Sequence, residues 1–272
     1  MKHRIRKSLC ALLALALLFG LAACGEDNGS HRVKGVLTLV EQAYSLAFRN
    51  DDPLQRYLVA AIEELNAEGT VDELSRKWFG KKIIEFGKKE NALAALGEIP
   101  AHKLLVGVDI NSFPMAYVQD GNYWGFDVEL ATLACEKLGW ELQILSIEKE
   151  NVYIELYSGN IDVAWGGVAL SQAELDAGAY TQYGPYVDND IVVIARDGSV
   201  VKNSSKLSGK TLAMPTTPEA MEALDGDPKL KEKLGQIMRL PGGTAECFAA
   251  LYAGDCDAVL TDSTAMYYYN SH

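Results

Sequence analysis

The chain has 272 residues, of which 49% are hydrophobic and 23% are charged, and its net charge is −12. This length can bury one large core or two small ones, and the composition lacks the bias of a disordered or low-complexity chain. The acidic balance argues against nucleic acid or anionic lipid as a partner, because both would repel a negatively charged surface.

Residues 1–23 are predicted to be an export signal. Four basic side chains within residues 2–7 precede an apolar run from Leu9 to Ala23. A basic head and a short apolar core are typical of secretory signals, and the run is shorter than the roughly 20 residues of a membrane-spanning helix. Removing the signal takes away four positive and no negative charges, so the net charge falls from −12 to −16.

The signal ends in a sequence that resembles the bacterial lipobox, Leu21-Ala22-Ala23-Cys24-Gly25. In that motif the cysteine becomes the lipidated first residue of the mature protein. We therefore expect Cys24 to carry a lipid anchor and residues 24–34 to form a tether. A plain secretory signal with an incidental cysteine is the alternative.

Three cysteines lie beyond the expected anchor, Cys135, Cys247 and Cys256. They show neither a CxxC motif nor the spacing of metal ligands, so buried free thiols are expected. A bridge between Cys247 and Cys256 is an alternative that spacing alone does not decide.

After the tether the pattern predicts two strands, Val36 to Val40 and Tyr44 to Arg49, and then an amphipathic helix. Asp51-Asp52-Pro53 is expected to start this helix, because acidic caps and an early proline suit a helix N-terminus. Gly69 ends it, and a short helix with a capping box follows. Residues 81–102 lose the regular pattern and are predicted to be a linker that could hold a helical turn or two.

Strands alternate with helices from Leu104 onward. The predicted strands are Leu104 to Val108, Leu142 to Ile147, Ile161 to Trp165, Ile191 to Ala195, Thr211 to Met214 and Ala258 to Leu260. The predicted helices are Gly125 to Leu138, Val152 to Tyr157, one that follows Pro218, and Ala245 to Tyr252. Such alternation predicts βαβ units with a largely parallel sheet, and a break near residues 186–189 divides it into two sets.

Several short motifs occur in a fixed order along this α/β region. They are Val106-Gly107-Val108-Asp109, Phe113-Pro114, residues 125–130 (GFDVEL), residues 155–162 (ELYSGNID), Trp165-Gly166-Gly167, Pro185-Tyr186 and residues 250–262 (ALYAGDCDAVLTD). As an ordered set they resemble the amino-acid-type solute-binding proteins that serve ABC importers. The resemblance implies an α/β fold of the periplasmic-binding-protein type (type II), in which hinge strands join two lobes around a ligand cleft.

The order of the segments departs from this family. Residues 44–80 resemble the part that ends the family's chains, yet here they come first. We therefore expect a circular permutation in which residues 81–102 join the usual ends, so that Arg32 and His272 lie close together. A truncated protein fused to the tail of a second copy is the alternative.

The resemblance also sets the domain limits. Lobe 1 is expected to span residues 43–187, including the linker, and lobe 2 to span residues 188–272 together with 35–42. The hinge strands are expected near Ala43 and Tyr186.

In the family an amino-acid ligand is held at both of its charged ends. The resemblance implies these contacts: Asp109 and Asp262 with the ligand's ammonium group, Phe113 and Trp165 as apolar walls, and Thr216 and Thr217 as small hydroxyl contacts. Paired charges of this kind offset the loss of hydration in a dry cleft. A core position is the alternative for Trp165, and a strand-end cap is the alternative for either aspartate.

The arginine that binds the ligand's carboxylate in the family is missing, and Glu174 stands at its position. The ligand could then be a cation, such as a polyamine or another basic compound, bound by Asp109, Glu174 and Asp262. A basic residue from elsewhere, for example Arg49, could fill the gap instead. In a third interpretation Glu174 points to solvent and backbone amides around Gly167 hold the carboxylate.

The expected function is therefore capture of an amino acid or a related small polar solute for an ABC permease. The protein is expected to be a monomeric lipoprotein on the extracytoplasmic face of the cell membrane. No cofactor, metal or nucleic acid is expected, and the sequence has no G-x-S-x-G, H-E-x-x-H or phosphate-loop motif that would indicate an enzyme. A surface sensor or adhesin is one alternative, and a dehydratase-like enzyme on the same fold is another.

Overall fold

The structure, a computed structural model, describes residues 31–170 and 172–272. The predicted signal, Cys24 and most of the tether lie outside these residues. The strands are β1 (Val33–Val40), β2 (Ala43–Phe48), β3 (Lys103–Val108), β4 (Tyr117–Gln119), β5 (Asn122–Trp124), β6 (Glu141–Ser146), β7 (Val163–Ala164), β8 (Thr181–Asp188), β9 (Ile191–Arg196), β10 (Thr211–Pro215), β11 (Gln236–Leu240) and β12 (Ala258–Asp262).

The helices are α1 (Gln55–Ala67), α2 (Thr70–Phe79), α3 (Phe126–Leu138), α4 (Val152–Tyr157), α5 (Gln172–Asp176), α6 (Pro218–Asp225), α7 (Pro228–Lys233), α8 (Gly243–Ala253) and α9 (Ser263–Ser271). Short 3₁₀ turns occur at Ala94–Leu96, Lys149–Asn151 and Ser204–Leu207. In the described part of the chain no helix combines the length and the apolar character needed to cross a membrane.

The strands form two five-stranded sheets and a β4–β5 hairpin. Sheet A has the order β1-β9-β12-β10-β11, and sheet B has the order β6-β3-β7-β2-β8. The expected α/β class with two sheets is confirmed. The prediction of a largely parallel sheet is wrong, because β9 pairs antiparallel with β1 and β12, and β2 pairs antiparallel with β7 and β8.

Two of these antiparallel pairs are related through the connections between the sheets. Residues 41–42 join β1 of sheet A to β2 of sheet B, and residues 189–190 join β8 of sheet B to β9 of sheet A. The chain runs in opposite directions through the two connections, so β1 is antiparallel to β9 in sheet A and β2 is antiparallel to β8 in sheet B. Asn189 N–H donates to the Gln42 carbonyl oxygen at 2.9 Å, so the two connections lie side by side.

Strand β9 is buried on both of its faces, as befits a strand near the middle of sheet A. Ile191, Val193 and Ala195 pack in one apolar cluster, while Val192 and Ile194 pack in another on the opposite face. Successive side chains of a strand point to opposite faces, so a continuous apolar run is what such a strand requires.

Sheet B shares one buried apolar cluster with α1, α2 and α3. Gly125, just before α3, has φ +135°, and a Cβ at this position would lie 2.1 Å from the Met115 carbonyl oxygen. Only glycine fits there. This close approach fixes the start of α3 and with it the position of Asp127 in the first turn.

The expected linker packs along the structure around sheet B. Ile84 is buried, and the Phe86 ring stacks on Tyr186 with 4.8 Å between ring centroids. Asn66 Nδ2 donates to the Phe86 carbonyl oxygen at 2.8 Å. The 3₁₀ turn at Ala94–Leu96 agrees with the helical turn that the sequence allowed.

Val33 and Asn270, near the two limits of the described chain, are in contact. Val33 N–H donates to Asn270 Oδ1 at 2.8 Å, and Asn270 Nδ2 donates to the Val33 carbonyl oxygen at 2.9 Å. The permutation itself stays a prediction.

Two local predictions about helix starts are wrong. Helix α1 begins at Gln55, because the Asp52 carboxylate accepts a hydrogen bond from Leu54 N–H at 2.9 Å and so caps the turn that precedes the helix. Helix α2 has Gly69 at its cap position with φ +90° and no side-chain cap, so the capping box with Thr70 is not formed. The cysteines agree with the expectation of free thiols: Cys135, Cys247 and Cys256 are buried and unbridged.

Gly125→Ala is expected to lower the free energy of unfolding by about 3 kcal/mol or more, because it combines a glycine-only backbone conformation with a backbone clash. Gly121→Ala is the matched control, since Gly121 also has a positive φ but a Cβ there meets nothing within 4 Å. Its expected cost is about 1 kcal/mol. Urea denaturation measures both, and equal losses would contradict the steric argument.

Candidate ligand-binding site

A cavity lies between the two sheets, beside the paired connections. It holds about 550 Å³ of empty space, part of which is open to solvent. Both sheets contribute to its wall. Tyr44, Asp109, Ser112 and Gly167 line it from the side of sheet B, and Thr217, Glu219, Thr261 and Asp262 line it from the side of sheet A.

Asp109 directly follows β3, at the carboxyl end of the strand. Its N–H donates to the Gly166 carbonyl oxygen at 3.0 Å, and its Oδ1 accepts hydrogen bonds from Asn111 N–H at 2.9 Å and Asn111 Nδ2 at 3.1 Å. Burial raises the pKa of the Asp109 carboxyl, and the negative charge of Glu219 raises it further. Asp109 is therefore held in place while its charge lacks a cationic partner.

Asp262 is the last residue of β12 and stands at the cap position of α9, yet its side chain makes no cap hydrogen bond. Burial raises the pKa of its carboxyl to about 7, and the charges of Glu219 and Asp109 act in the same direction. The positive charge of Lys149 opposes them. The site thus contains a carboxyl group that is only partly ionised at neutral pH.

Helix α6 brings a third carboxylate to the cavity. Thr217 caps the helix by accepting a hydrogen bond from Ala220 N–H at 3.3 Å, and Pro218 occupies the first turn. This start places Glu219 in the first turn, where it lines the cavity. Thr216, the neighbouring predicted contact, does not line it.

Thr261 is buried, lines the cavity, and has a hydroxyl group without a hydrogen-bond partner among the described residues. A buried polar group is normally satisfied, because leaving it unpaired costs free energy. The hydroxyl can donate to or accept from a group placed in the cavity.

The turn at Gly166 and Gly167 lies on the sheet B side of the cavity. Gly167 has φ +77°, and a Cβ there would lie 1.8 Å from Ser112 Oγ, so the turn contacts Ser112 closely. Burial raises the pKa of the Asp127 carboxyl to about 7, and the nearby Gly167 N–H opposes this rise. The interpretation that amides around Gly167 hold a ligand's carboxylate stays a prediction.

The two predicted aromatic walls lie away from the cavity lining. Trp165 is fully buried, and its Nε1 donates to Asp127 Oδ1 at 3.1 Å, as in the alternative core interpretation. Phe113 packs against Tyr268 and Tyr117, with ring centroids 4.8 Å and 5.0 Å apart. It lines a neighbouring aromatic groove instead.

Glu174 and Arg49 also lie outside the cavity lining. Glu174 is in α5 and its Oε1 accepts a hydrogen bond from Tyr180 OH at 3.1 Å. Arg49 forms ion pairs with Asp52 at 2.6 Å and Asp162 at 3.2 Å. The structure thus brings together Asp109, Gly167, Thr217 and Asp262 of the predicted contacts, and it separates Phe113, Trp165, Glu174 and Thr216 from them.

Sequence reasoning missed Glu219 and Lys149. Lys149 is in the 3₁₀ turn after β6 and is the only positively charged side chain among the described residues that line the cavity. The predicted strands could have indicated Lys149, because residues that follow neighbouring parallel strands meet at the same edge of a sheet. Strands β3 and β6 are such neighbours in the structure.

The raised pKa of Asp262 predicts a pH dependence of stability. A carboxyl whose pKa is higher in the folded than in the unfolded chain stabilises the fold below the unfolded value, near 3.9, and this contribution is lost as the pH rises towards 7. Relative to Asp262→Asn, the wild-type free energy of unfolding is expected to fall by about 1 kcal/mol per pH unit between pH 5 and pH 7. Parallel pH profiles of the two proteins in urea denaturation would contradict it.

Residues 104–240 match the model of a protein family described as bacterial extracellular solute-binding proteins, family 3. Two curated relatives come from Bacillus subtilis (strain 168). The probable amino-acid-binding protein YxeM is 29% identical over 133 residues, which is 48% of this chain and 50% of the relative. The arginine-binding extracellular protein ArtP is 26% identical over 112 residues, which is 41% of this chain and 43% of the relative. The chain thus spans about half the length of the curated relatives that it matches.

Two solved structures were also found to be similar. A polar amino acid ABC uptake transporter substrate binding protein from Streptococcus thermophilus has 26% identity and a TM-score of 0.46, covering 59% of this chain and 61% of that one. An ABC uptake transporter substrate binding protein from Streptococcus pneumoniae with bound histidine has 22% identity and a TM-score of 0.43, covering 61% and 68%. The match to the family model extends over half of the sequence, and the chain belongs to the bacterial extracellular solute-binding proteins, family 3.

Proposed function

We propose that the protein is the solute-binding component of an ABC importer and captures an amino acid or related small polar solute in the cavity between its sheets. The observation that carries this proposal is that Asp109 and Asp262 come from different sheets and line one cavity. A solute with an ammonium group can contact both. Contacts of this kind can stabilise a closed state over an open one.

The sheets would be the cores of two lobes, residues 43–187 and residues 188–272 with 35–42. The hinge would lie near Ala43 and Tyr186, where the chain passes between the sheets. The short paired connections support this role, because two extended segments can bend together without breaking a packed core. Ala43 pairs with Asp188 next to them.

The rotated segment order belongs to the same proposal. Residues 81–102 would join the positions at which the family's chains begin and end, and their packing along sheet B supports this. The contact between Val33 and Asn270 supports a cut in lobe 2.

The charges of the cavity favour a solute with at least one cationic group. Asp109, Glu219 and Asp262 line it together, and a cation that loses water there regains carboxylate partners. A curated relative named for arginine binding is consistent with a basic amino acid as ligand.

The lipobox sequence supports a lipid anchor at Cys24, which would hold a monomeric protein on the extracytoplasmic face of the membrane beside its permease. The curated relatives named above are binding proteins, and capture without chemical conversion is the corresponding role here.

Asp109→Asn and Asp262→Asn are each expected to abolish the thermal stabilisation that a bound solute gives. The screen uses zwitterionic amino acids, basic amino acids and polyamines, and a ligand at 100 times its Kd adds about 2.7 kcal/mol, or several degrees in Tm. Asp255→Asn is the matched control, since Asp255 is exposed and does not line the cavity. Unchanged shifts in both cavity variants would refute the site, and no shift in the wild type would refute solute capture.

Cys24→Ser is expected to abolish lipidation and to release the protein from the membrane fraction, because the thioether-forming side chain is gone. Labelling with radioactive palmitate in a bacterial host, followed by fractionation, measures both effects. Cys135→Ser is the control, since that thiol is buried. Label that persists in Cys24→Ser would show that the anchor lies elsewhere or is absent.

A further inference from the structure

Lys149 is the feature of the cavity that solute capture by carboxylates does not explain. Its side chain lines the cavity from the side of sheet B, and no ion pair joins it to a carboxylate of the described residues. Its positive charge nevertheless acts on Asp262, because it opposes the rise in the pKa of that carboxyl that burial causes. The ammonium group thus shares the cavity with the three carboxylates and forms an ion pair with none of them.

A cavity for a simple amine would gain nothing from this lysine. An ammonium group held by Asp109, Glu219 and Asp262 shares the cavity with Lys149, and the like charges repel each other. The repulsion grows with each additional positive charge, so a polyamine would be disfavoured most. A ligand that turns a carboxylate towards Lys149 converts the same charge into an attraction.

The position of Lys149 fits a carboxylate at the mouth of the cavity. Lys149 and Glu219 line both the cavity and an adjoining open groove, so they lie where the two spaces meet. Asp109 and Asp262 line only the inner cavity. A carboxylate at the mouth therefore leaves the inner carboxylates to cationic groups.

Arg49, the other basic side chain considered as a partner for a ligand's carboxylate, is occupied. The Arg49 guanidinium donates to the carbonyl oxygens of Leu156 and Ile161 at 2.9 Å and 2.7 Å, besides its two ion pairs. Among the described residues of the cavity wall, Lys149 is the remaining charged donor.

We propose that Lys149 binds the carboxylate of the ligand and that the ligand is a basic amino acid. The three carboxylates offer partners for both cationic groups of such a molecule, and the Lys149 ammonium group offers a partner for its carboxylate. This inference rests on the proposed function, since it specifies the ligand of the same cavity. It assigns selection against decarboxylated amines to one side chain.

The test compares ligands that differ by one charged group, using isothermal titration calorimetry on the full chain. Arginine and agmatine differ in the carboxylate, as do lysine and cadaverine, while citrulline lacks the guanidinium charge of arginine. The wild type is expected to bind arginine or lysine at least tenfold more tightly than the matching amine, and arginine at least tenfold more tightly than citrulline. Lys149→Met should weaken amino-acid binding at least tenfold and leave amine binding unchanged or tighter.

Two variants serve as controls. Lys202→Met removes an exposed lysine that does not line the cavity and should bind as the wild type does. Lys149→Arg keeps the positive charge and should keep the preference for the amino acid over the amine.

Two results would overturn the inference and leave the proposed function intact. In one, the wild type binds agmatine or citrulline as tightly as arginine. In the other, Lys149→Met weakens amino acid and amine equally, which would indicate that Lys149 pairs with Glu219 when the cleft closes. Absence of binding for all five compounds in the wild type would overturn both the inference and capture of basic solutes. Retention of binding in both Asp109→Asn and Asp262→Asn would overturn the proposed site and, with it, the inference.

Discussion

Burial of carboxylates in one shared cavity, reinforced by the repulsion between them, governs the candidate site. Asp109, Glu219 and Asp262 face one cavity, and burial together with their mutual charge raises the pKa of Asp109 and brings that of Asp262 to about 7. A cation that enters favours the ionised forms, so its binding is linked to release of a proton near neutral pH. Until then the arrangement is unfavourable, and packing elsewhere in the protein must offset its cost.

A second buried carboxyl group shows how the fold holds this cavity in shape. Asp127 accepts hydrogen bonds from Trp165 Nε1 at 3.1 Å and from Tyr186 OH at 2.8 Å. The carbonyl oxygen of Gly166, the residue after Trp165, accepts a hydrogen bond from the Asp109 N–H. These hydrogen bonds connect the turn at Gly166 to helix α3, to strand β8 and to the end of β3. The position of Asp109 in the cavity therefore depends on a polar network in the core whose hydrogen bonds are formed.

Elements with strong local patterns could be predicted from the sequence, and the remainder depended on contacts distant along the chain. Strand β9 and helix α3 lie within one residue of their predicted limits, because burial on both faces or along one stripe leaves a clear pattern. Strand β8 contains Gly184 and Pro185, which indicate a turn locally, yet pairing with β2 makes the segment extended. Lys149 belongs to no motif and enters the site only because β6 lies beside β3.

The sheet topology explains why the proposed rotation of the segment order is compatible with the site. Asp262 ends β12, whose neighbours are β9 and β10, and Asp109 follows β3, whose neighbours are β6 and β7. The hydrogen-bonded contact between Val33 and Asn270 involves β1 instead. Strand β1 is at the edge of sheet A, where β9 is its one neighbour. An edge strand can belong to the beginning or to the end of a chain, because strand pairing requires that two segments be close in space and not that they follow a fixed sequence order. The strands that position Asp109 and Asp262 have two partners each, so the proposed change in chain order would leave these two carboxylates in place.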